Sequence, residues 1–191
     1  MKKTLGSLLL LSLLSTPVLA DWKINNDFSL VNFVSVKKNV VGEAHTFKQV
    51  SGTLTDAGKF TLTIPLETVE SNIPIRNERM RTHLFETVKF PDLMLSAKVD
   101  MNKVNALKVG ESAMLALNAD VGFHGVDQIV TVNAMVTRSA DNKLLVNSTK
   151  PIIVSPSSFG LEAGVLKLQA LAKLPSITMS VPVSFVLTLE K

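Results

Sequence analysis

In the stretch KFTLTIPLET, Phe60, Leu62, Ile64 and Leu66 fall on one face, and Thr61, Thr63, Pro65 and Glu67 on the other. This period of two restricts the fold more than any other feature of the chain, because only an extended strand sends successive side chains to opposite sides. It recurs through most of the chain after residue 20, interrupted by turn residues. Asp56-Ala57-Gly58 separates this strand from FKQVSGTLT, so the two read as a hairpin. Further strands are expected over 29–37, 93–100, 113–123, 128–138, 143–154 and 181–189. His124-Gly125-Val126-Asp127 and Asp141-Asn142-Lys143 supply two of the tight connections. Pro65 cannot donate to a ladder and marks an edge-like or bulged position. Eight strands with mostly short links suit a mainly β fold, an up-and-down antiparallel barrel, and fit a sandwich less well.

The first twenty residues do not belong to this pattern. Lys2 and Lys3 precede an apolar run from Leu5 to Leu14, and Val18-Leu19-Ala20 places compact residues before Asp21. The run is too short to span a bilayer, and the whole is the pattern of a secretory signal peptide, 1–20, cleaved between Ala20 and Asp21. The expected location is therefore a bacterial periplasm or the cell exterior. Removal of Lys2 and Lys3 lowers the formal net charge from +4 to +2, too little to point to nucleic acid. The remainder, 21–191, has the length of one domain with a sizeable core. It contains no cysteine, so its stability comes from that core rather than from disulfides. No later segment has the length and apolarity of a membrane span.

Two segments depart from period two. In IRNERMRTHLF, 75–85, Arg76, Met80, His83 and Leu84 have the spacing of a helix face, with Pro74 suited to the first turn. In GVLKLQALAKL, 164–174, Val165, Leu168, Leu171, Ala172 and Leu174 form an apolar stripe that Pro175 ends. One or two short helices of this kind can close the ends of a barrel. The interior is open at this point. Small inward candidates (Ala97, Ala119, Ala134) alternate with large ones, which fits an elongated cavity and ordinary packing equally.

Catalysis finds little support. No thiol is present, no Gly-x-Ser-x-Gly elbow, and no glycine-rich phosphate loop. His45, His83 and His124 show no ligand spacing; His45 lies ahead of a strand, His83 on a helix and His124 in a turn. Arg76, Arg79 and Arg81 could hold a phosphate or carboxylate. The plainer reading pairs them with Glu78 and Glu86 and leaves the rest to water.

The segment VESNIPIRNERMRTHLFETVKFP resembles the signature of the YceI-like family, the polyisoprenoid-binding periplasmic proteins. The matching parts are Val69-Glu70-Ser71-Asn72, Arg76-Asn77, Met80 to Phe85 and Phe90-Pro91. SLVNFVSV, FKQVSGTL through Phe47 and Gly52, and ADVGFHGVDQIVTVNA around Gly125 fit the same family. The chain departs from it in having Asn77 where many members have Asp, and Arg79-Met80 where many have His-Leu, so no role passes to His83. The resemblance implies an eight-stranded lipocalin-like barrel whose elongated apolar pocket takes one long amphiphile, such as a polyisoprenoid or isoprenoid quinone.

On this reading, 75–85 is a lid at the pocket mouth, with Met80, Leu84 and Phe85 turned to the cavity. Arg76 fixes the lid through nearby carbonyls or carboxylates, or meets a ligand head. The strand residues expected to line the pocket are Val31, Phe33, Phe47, Phe60, Leu62, Leu95, Leu117 and Phe123. The expected function is a non-enzymatic periplasmic carrier of a long-chain amphiphilic lipid. The alternative is an envelope stress or protein-interaction module with a packed barrel and no stoichiometric ligand. No metal or cofactor is expected beyond a bound isoprenoid-type lipid. The expected partner is a hydrophobic or amphiphilic small molecule, and the oligomeric state, a dimer included, is left open.

Overall fold

A computed structural model describes residues 21–191; the expected signal peptide lies outside the described residues. The β segments are β1 (Trp22–Ile24), β2 (Leu30–Lys37), β3 (Val41–Phe47), β4 (Ser51–Leu54), β5 (Lys59–Pro65), β6 (Val69–Glu70), β7 (Asp92–Lys98), β8 (Ser112–Phe123), β9 (Val126–Ala140), β10 (Lys143–Ser148), β11 (Ile152–Val154) and β12 (Val181–Glu190). They make eight strands, because four strands are broken in two. β1 and β2 both pair with β12, as do β10 and β11. β4 and β3 likewise share the neighbours β5 and β6. Every pairing is antiparallel, and the return of β12 to β1 and β2 closes the barrel.

Three of these breaks have a local cause. A 3-10 turn, Asn26–Phe28, separates β1 from β2, and the Asn25 side chain caps it by accepting from the Asp27 N–H at 3.1 Å. The Pro65 position that the sequence marks as irregular is where β5 ends and a second 3-10 turn, Leu66–Thr68, begins. Pro151 precedes β11 and cannot continue the ladder. At the β8–β9 turn, His124 and Gly125 have φ of 53° and 76°, as a two-residue hairpin with matching twist requires.

Several details differ from the sequence reading. His45 lies inside β3, not ahead of a strand. The inward row of β3 carries Glu43 and His45 before Phe47, so its face is not apolar and its period is hidden. The first helical segment, α1 (Pro74–Arg79), starts at Pro74 as expected, with Ile73 as N-cap, but changes pitch to a single π turn over Met80–Leu84. The late helix runs over Glu162–Leu171 rather than 164–174; Lys173, at φ 52°, turns the chain left-handed before Pro175 is reached. A five-residue helix, α2 (Met101–Asn105), was not expected. It is too short to show a helical period. The late helix is therefore α3.

Because the strands alternate in direction, the links gather at two ends. One end carries α2, the β4–β5 and β9–β10 turns and Lys191. It is sealed by Trp22, Leu54, Val104, Leu144 and Leu189, none more than 5% exposed. Trp22 lies directly opposite Leu54, so both point inward. The other end carries the two long links, 71–91 and 155–180, with α1, the π turn and α3. They cross closely at Gly164, where a Cβ would lie 2.7 Å from the His83 carbonyl oxygen.

Trp22→Ala should empty the sealed end and lower the unfolding free energy by about 3–5 kcal/mol. Urea denaturation followed by circular dichroism measures it, and a loss below 1 kcal/mol would mean that β1 is not part of the closure.

Candidate functional site: an apolar cavity under a helical lid

Between the sealed end and the lid lies a cavity of about 530 Å³. The interior question left open by composition is answered here: Ala97 sits opposite Phe60 and Ala119, and Ala134 opposite Leu115, so the wall lacks the bulk to fill the barrel. All eight strand residues singled out in the sequence, Val31, Phe33, Phe47, Phe60, Leu62, Leu95, Leu117 and Phe123, lie on the cavity wall. Cross-strand pairs explain their shared parity, since Val31 faces Phe47 and Leu62 faces Leu95. Arg76, Met80, Leu84 and Phe85 border the cavity from the lid. Phe33, Phe47, Phe85, Phe123 and Phe159 form a continuous aromatic wall, successive ring centroids 5.4–6.0 Å apart. Phe159 was not singled out, because PSSF carries no period to place it.

The lid is tied to the barrel by one buried amide. Asn77 Oδ1 accepts from the Ser71 N–H at 2.8 Å and the Ser71 hydroxyl at 2.6 Å. Its Nδ2 donates to Glu70 Oε1 at 2.8 Å, and the Asn72 N–H donates to the same oxygen at 2.6 Å. Lys48 Nζ, 2.6 Å from Glu70 Oε2, completes the network. Opposite Glu70 an amide supplies the donor that a carboxylate lacks.

The mouth is where the polar groups are. Arg76 forks onto Glu43, with Nη2 and Nη1 each 3.1 Å from a carboxylate oxygen, and Lys37 Nζ lies 2.9 Å from the same carboxylate. Burial raises the Glu43 carboxyl, but the hydrogen bonds from Lys37 and Arg76 outweigh it and the net shift is downward. Arg76 therefore ties α1 to β3, the lid-fixing role expected of it. The pairing of the arginines with Glu78 and Glu86 is not what forms. Arg79 donates to the Leu171 carbonyl, Arg81 to the Glu67 carbonyl, and Glu86 meets His124 Nε2 at 3.0 Å.

Just inside the mouth, Ser35 Oγ and His45 Nε2 are hydrogen-bonded at 2.8 Å. His45 is 4% exposed, and its Nδ1 is buried with no partner among the described residues. Burial lowers its pKa, and the Arg76 charge lowers it further, so the ring is neutral near pH 7. Neither residue was singled out as a site, since a serine and a histidine ten positions apart carry no motif. The three histidines stand apart, and among the described residues no group of three metal-ligating side chains occurs. Nor is any helix there long and apolar enough to cross a membrane.

A closed eight-stranded antiparallel barrel with an apolar interior and a helical cover is a ligand-enclosing barrel of lipocalin-like build. The model of the YceI-like domain matches residues 22–189, and the chain belongs to that family. It is similar to a polyisoprenoid-binding domain from Saccharophagus degradans implicated in plant cell wall breakdown, at 36% identity and TM-score 0.87, over 88% of this chain and 97% of that one. Two more distant structures share the fold. Burkholderia cenocepacia BcnA matches at 16% identity and TM-score 0.68, over 86% of this chain and 98% of its own. A Campylobacter jejuni YCEI protein matches at 13% and 0.56, over 77% and 84%. No curated protein sequence matches the chain.

The Glu70 network makes the lid acid-sensitive. Lys48, Asn77 and the Asn72 N–H hold the Glu70 carboxyl at about 2, against an ordinary value of 4.5. A carboxyl lowered on folding stabilises the fold fully above its unfolded pKa and loses that contribution as pH falls through the folded one. Unfolding free energy should thus fall from pH 4.5 towards 2 more steeply in the wild type than in Glu70→Gln. Equal slopes would contradict the anchor.

Proposed function

We propose that this protein is a non-enzymatic carrier that holds one long-chain amphiphilic lipid, a polyisoprenoid or isoprenoid quinone, inside its barrel, and that it works in the periplasm. The observation that carries the reading is the distribution of polarity in the cavity: apolar from floor to lid, with charged groups only at the mouth. A chain inserted there gains about 0.8 kcal/mol per buried CH₂ before ordering costs, so few polar contacts are needed. The polyisoprenoid-binding neighbour at 36% identity supports the same ligand class. The packed-barrel alternative is disfavoured by the cavity itself.

A carrier rather than an enzyme is supported by the state of the Ser35–His45 pair, which among the described residues resembles a nucleophile and base. Ser35 and His45 are within reach of each other, but His45 Nδ1 meets no carboxylate or carbonyl that would orient the ring. The periplasmic placement rests on the N-terminal pattern of Lys2, Lys3 and the apolar run up to Ala20.

Protein purified from its native host without detergent should carry one isoprenoid-type lipid per chain, identified by native and then denaturing mass spectrometry. Protein that emerges empty and also refuses added quinones and polyprenols would overturn the carrier reading.

A further inference from the structure

The cavity also dictates which way round an amphiphile sits. Its floor is built from Leu54, Val104, Leu144 and Leu189, where a polar head would lose its water and find no partner, a cost of several kcal/mol. The tail therefore enters first and the head stops near the mouth. There the inner faces of β2 and β3 rise in polarity by steps. Val31 lies opposite Phe47, Phe33 opposite His45, and Ser35 opposite Glu43. A head descending with its tail passes the charged groups and reaches the Ser35–His45 pair at the border of the aromatic wall, where the Phe33 and His45 rings are 5.1 Å apart.

We infer that Ser35 and His45 form the head-group site, and that it takes a neutral oxygen-bearing head, a hydroxyl, phenol or quinone carbonyl, in preference to a phosphate. The inference rests on the carrier reading and adds to it the chemistry of the ligand's polar end. Two observations carry it. The first is the unmet hydrogen-bonding capacity. His45 Nδ1 is buried without a partner, and Ser35 Oγ has His45 as its one bonded neighbour among the described residues. Buried polar groups in native proteins are rarely left so, and a hydroxyl can donate one bond and accept two. In either tautomer of His45 the pair offers both donors and acceptors, which suits an oxygen that donates, accepts, or does both.

The second is the disposition of charge. The cations nearest this pair, Lys37 and Arg76, are both held by Glu43, Arg76 through two nitrogens. Arg79, the remaining cation on the cavity border, gives a nitrogen to the Leu171 carbonyl. A phosphate seated at Ser35 would lie beside the Glu43 carboxylate, with the local cations already engaged and a neutral imidazole beneath it. A neutral head meets no such repulsion.

The test measures binding of three probes of equal chain length to the mature protein: an isoprenoid alcohol, its monophosphate, and the hydrocarbon without a head. The alcohol should bind the wild type more tightly than the phosphate. His45→Leu and Ser35→Ala should each weaken alcohol binding roughly three- to ten-fold, the range of one lost neutral hydrogen bond. Hydrocarbon binding should be unchanged, which shows that the cavity is intact. Tighter binding of the phosphate, or alcohol binding that neither variant alters while the hydrocarbon still binds, would overturn the head-group site and leave the carrier standing. Failure of the wild type to bind any of the three would overturn the carrier reading and this inference with it.

Discussion

Everything in this molecule depends on the return of the last strand to the first. When β12 pairs with β1 and β2, the sheet has no free edge. At eight strands the enclosed space is only just wide enough to be filled by side chains or to hold one small ligand. Which of the two occurs is decided by a few positions. Ala97, Ala119 and Ala134 stand where larger side chains would fill the centre, and the cavity follows from their small volume. With no cysteine in the chain, this closure and the plug around Trp22 carry stability that disulfides supply in some other small domains.

The two ends of the barrel are built for different purposes. The sealed end is tight and apolar, and a short helix covers it. The lid end adds polar ties to its packing: Met80, Phe85 and Phe159 are buried there, the Asn77 amide meets Glu70 on one side, and the Arg76–Glu43 fork closes the other. Contacts of this kind are worth less than packed core, and partly exposed ion pairs are worth about 1 kcal/mol or less each.

Much of the fold was legible in the sequence because strands with one apolar face show their period. The positions of the eight strands came from that period, but the choice of the face carrying Phe33, Leu62 and Leu117 as the inward one did not, because several strands are apolar on both faces. The first helix was recognisable from the break in the period and from Pro74; its place over a pocket mouth came from the family resemblance. What stayed hidden did so for physical reasons. Glu43 and His45 point inward yet are polar, so most of β3 showed no strand period and His45 was placed ahead of the strand. Trp22 sits in a three-residue segment too short to show alternation. Asn77 matters through a folded network, Ser71 and Glu70 included, that no spacing in the chain announces. The sites that broke the simple pattern are those at the mouth, where buried polar groups were placed against the trend of the barrel.

The central claim is that a lipid tail runs down the barrel axis to the sealed end. The chain's single tryptophan, Trp22, lies there and reports on it. The direct measurement is Trp22 fluorescence with two lipids that differ only in where bromine is attached, at the tail terminus or beside the head. Bromine quenches at short range. The account predicts strong quenching by the tail-labelled lipid and little by the head-labelled one. Equal binding of both lipids with no quenching by the tail label, or with quenching by the head label alone, would contradict it.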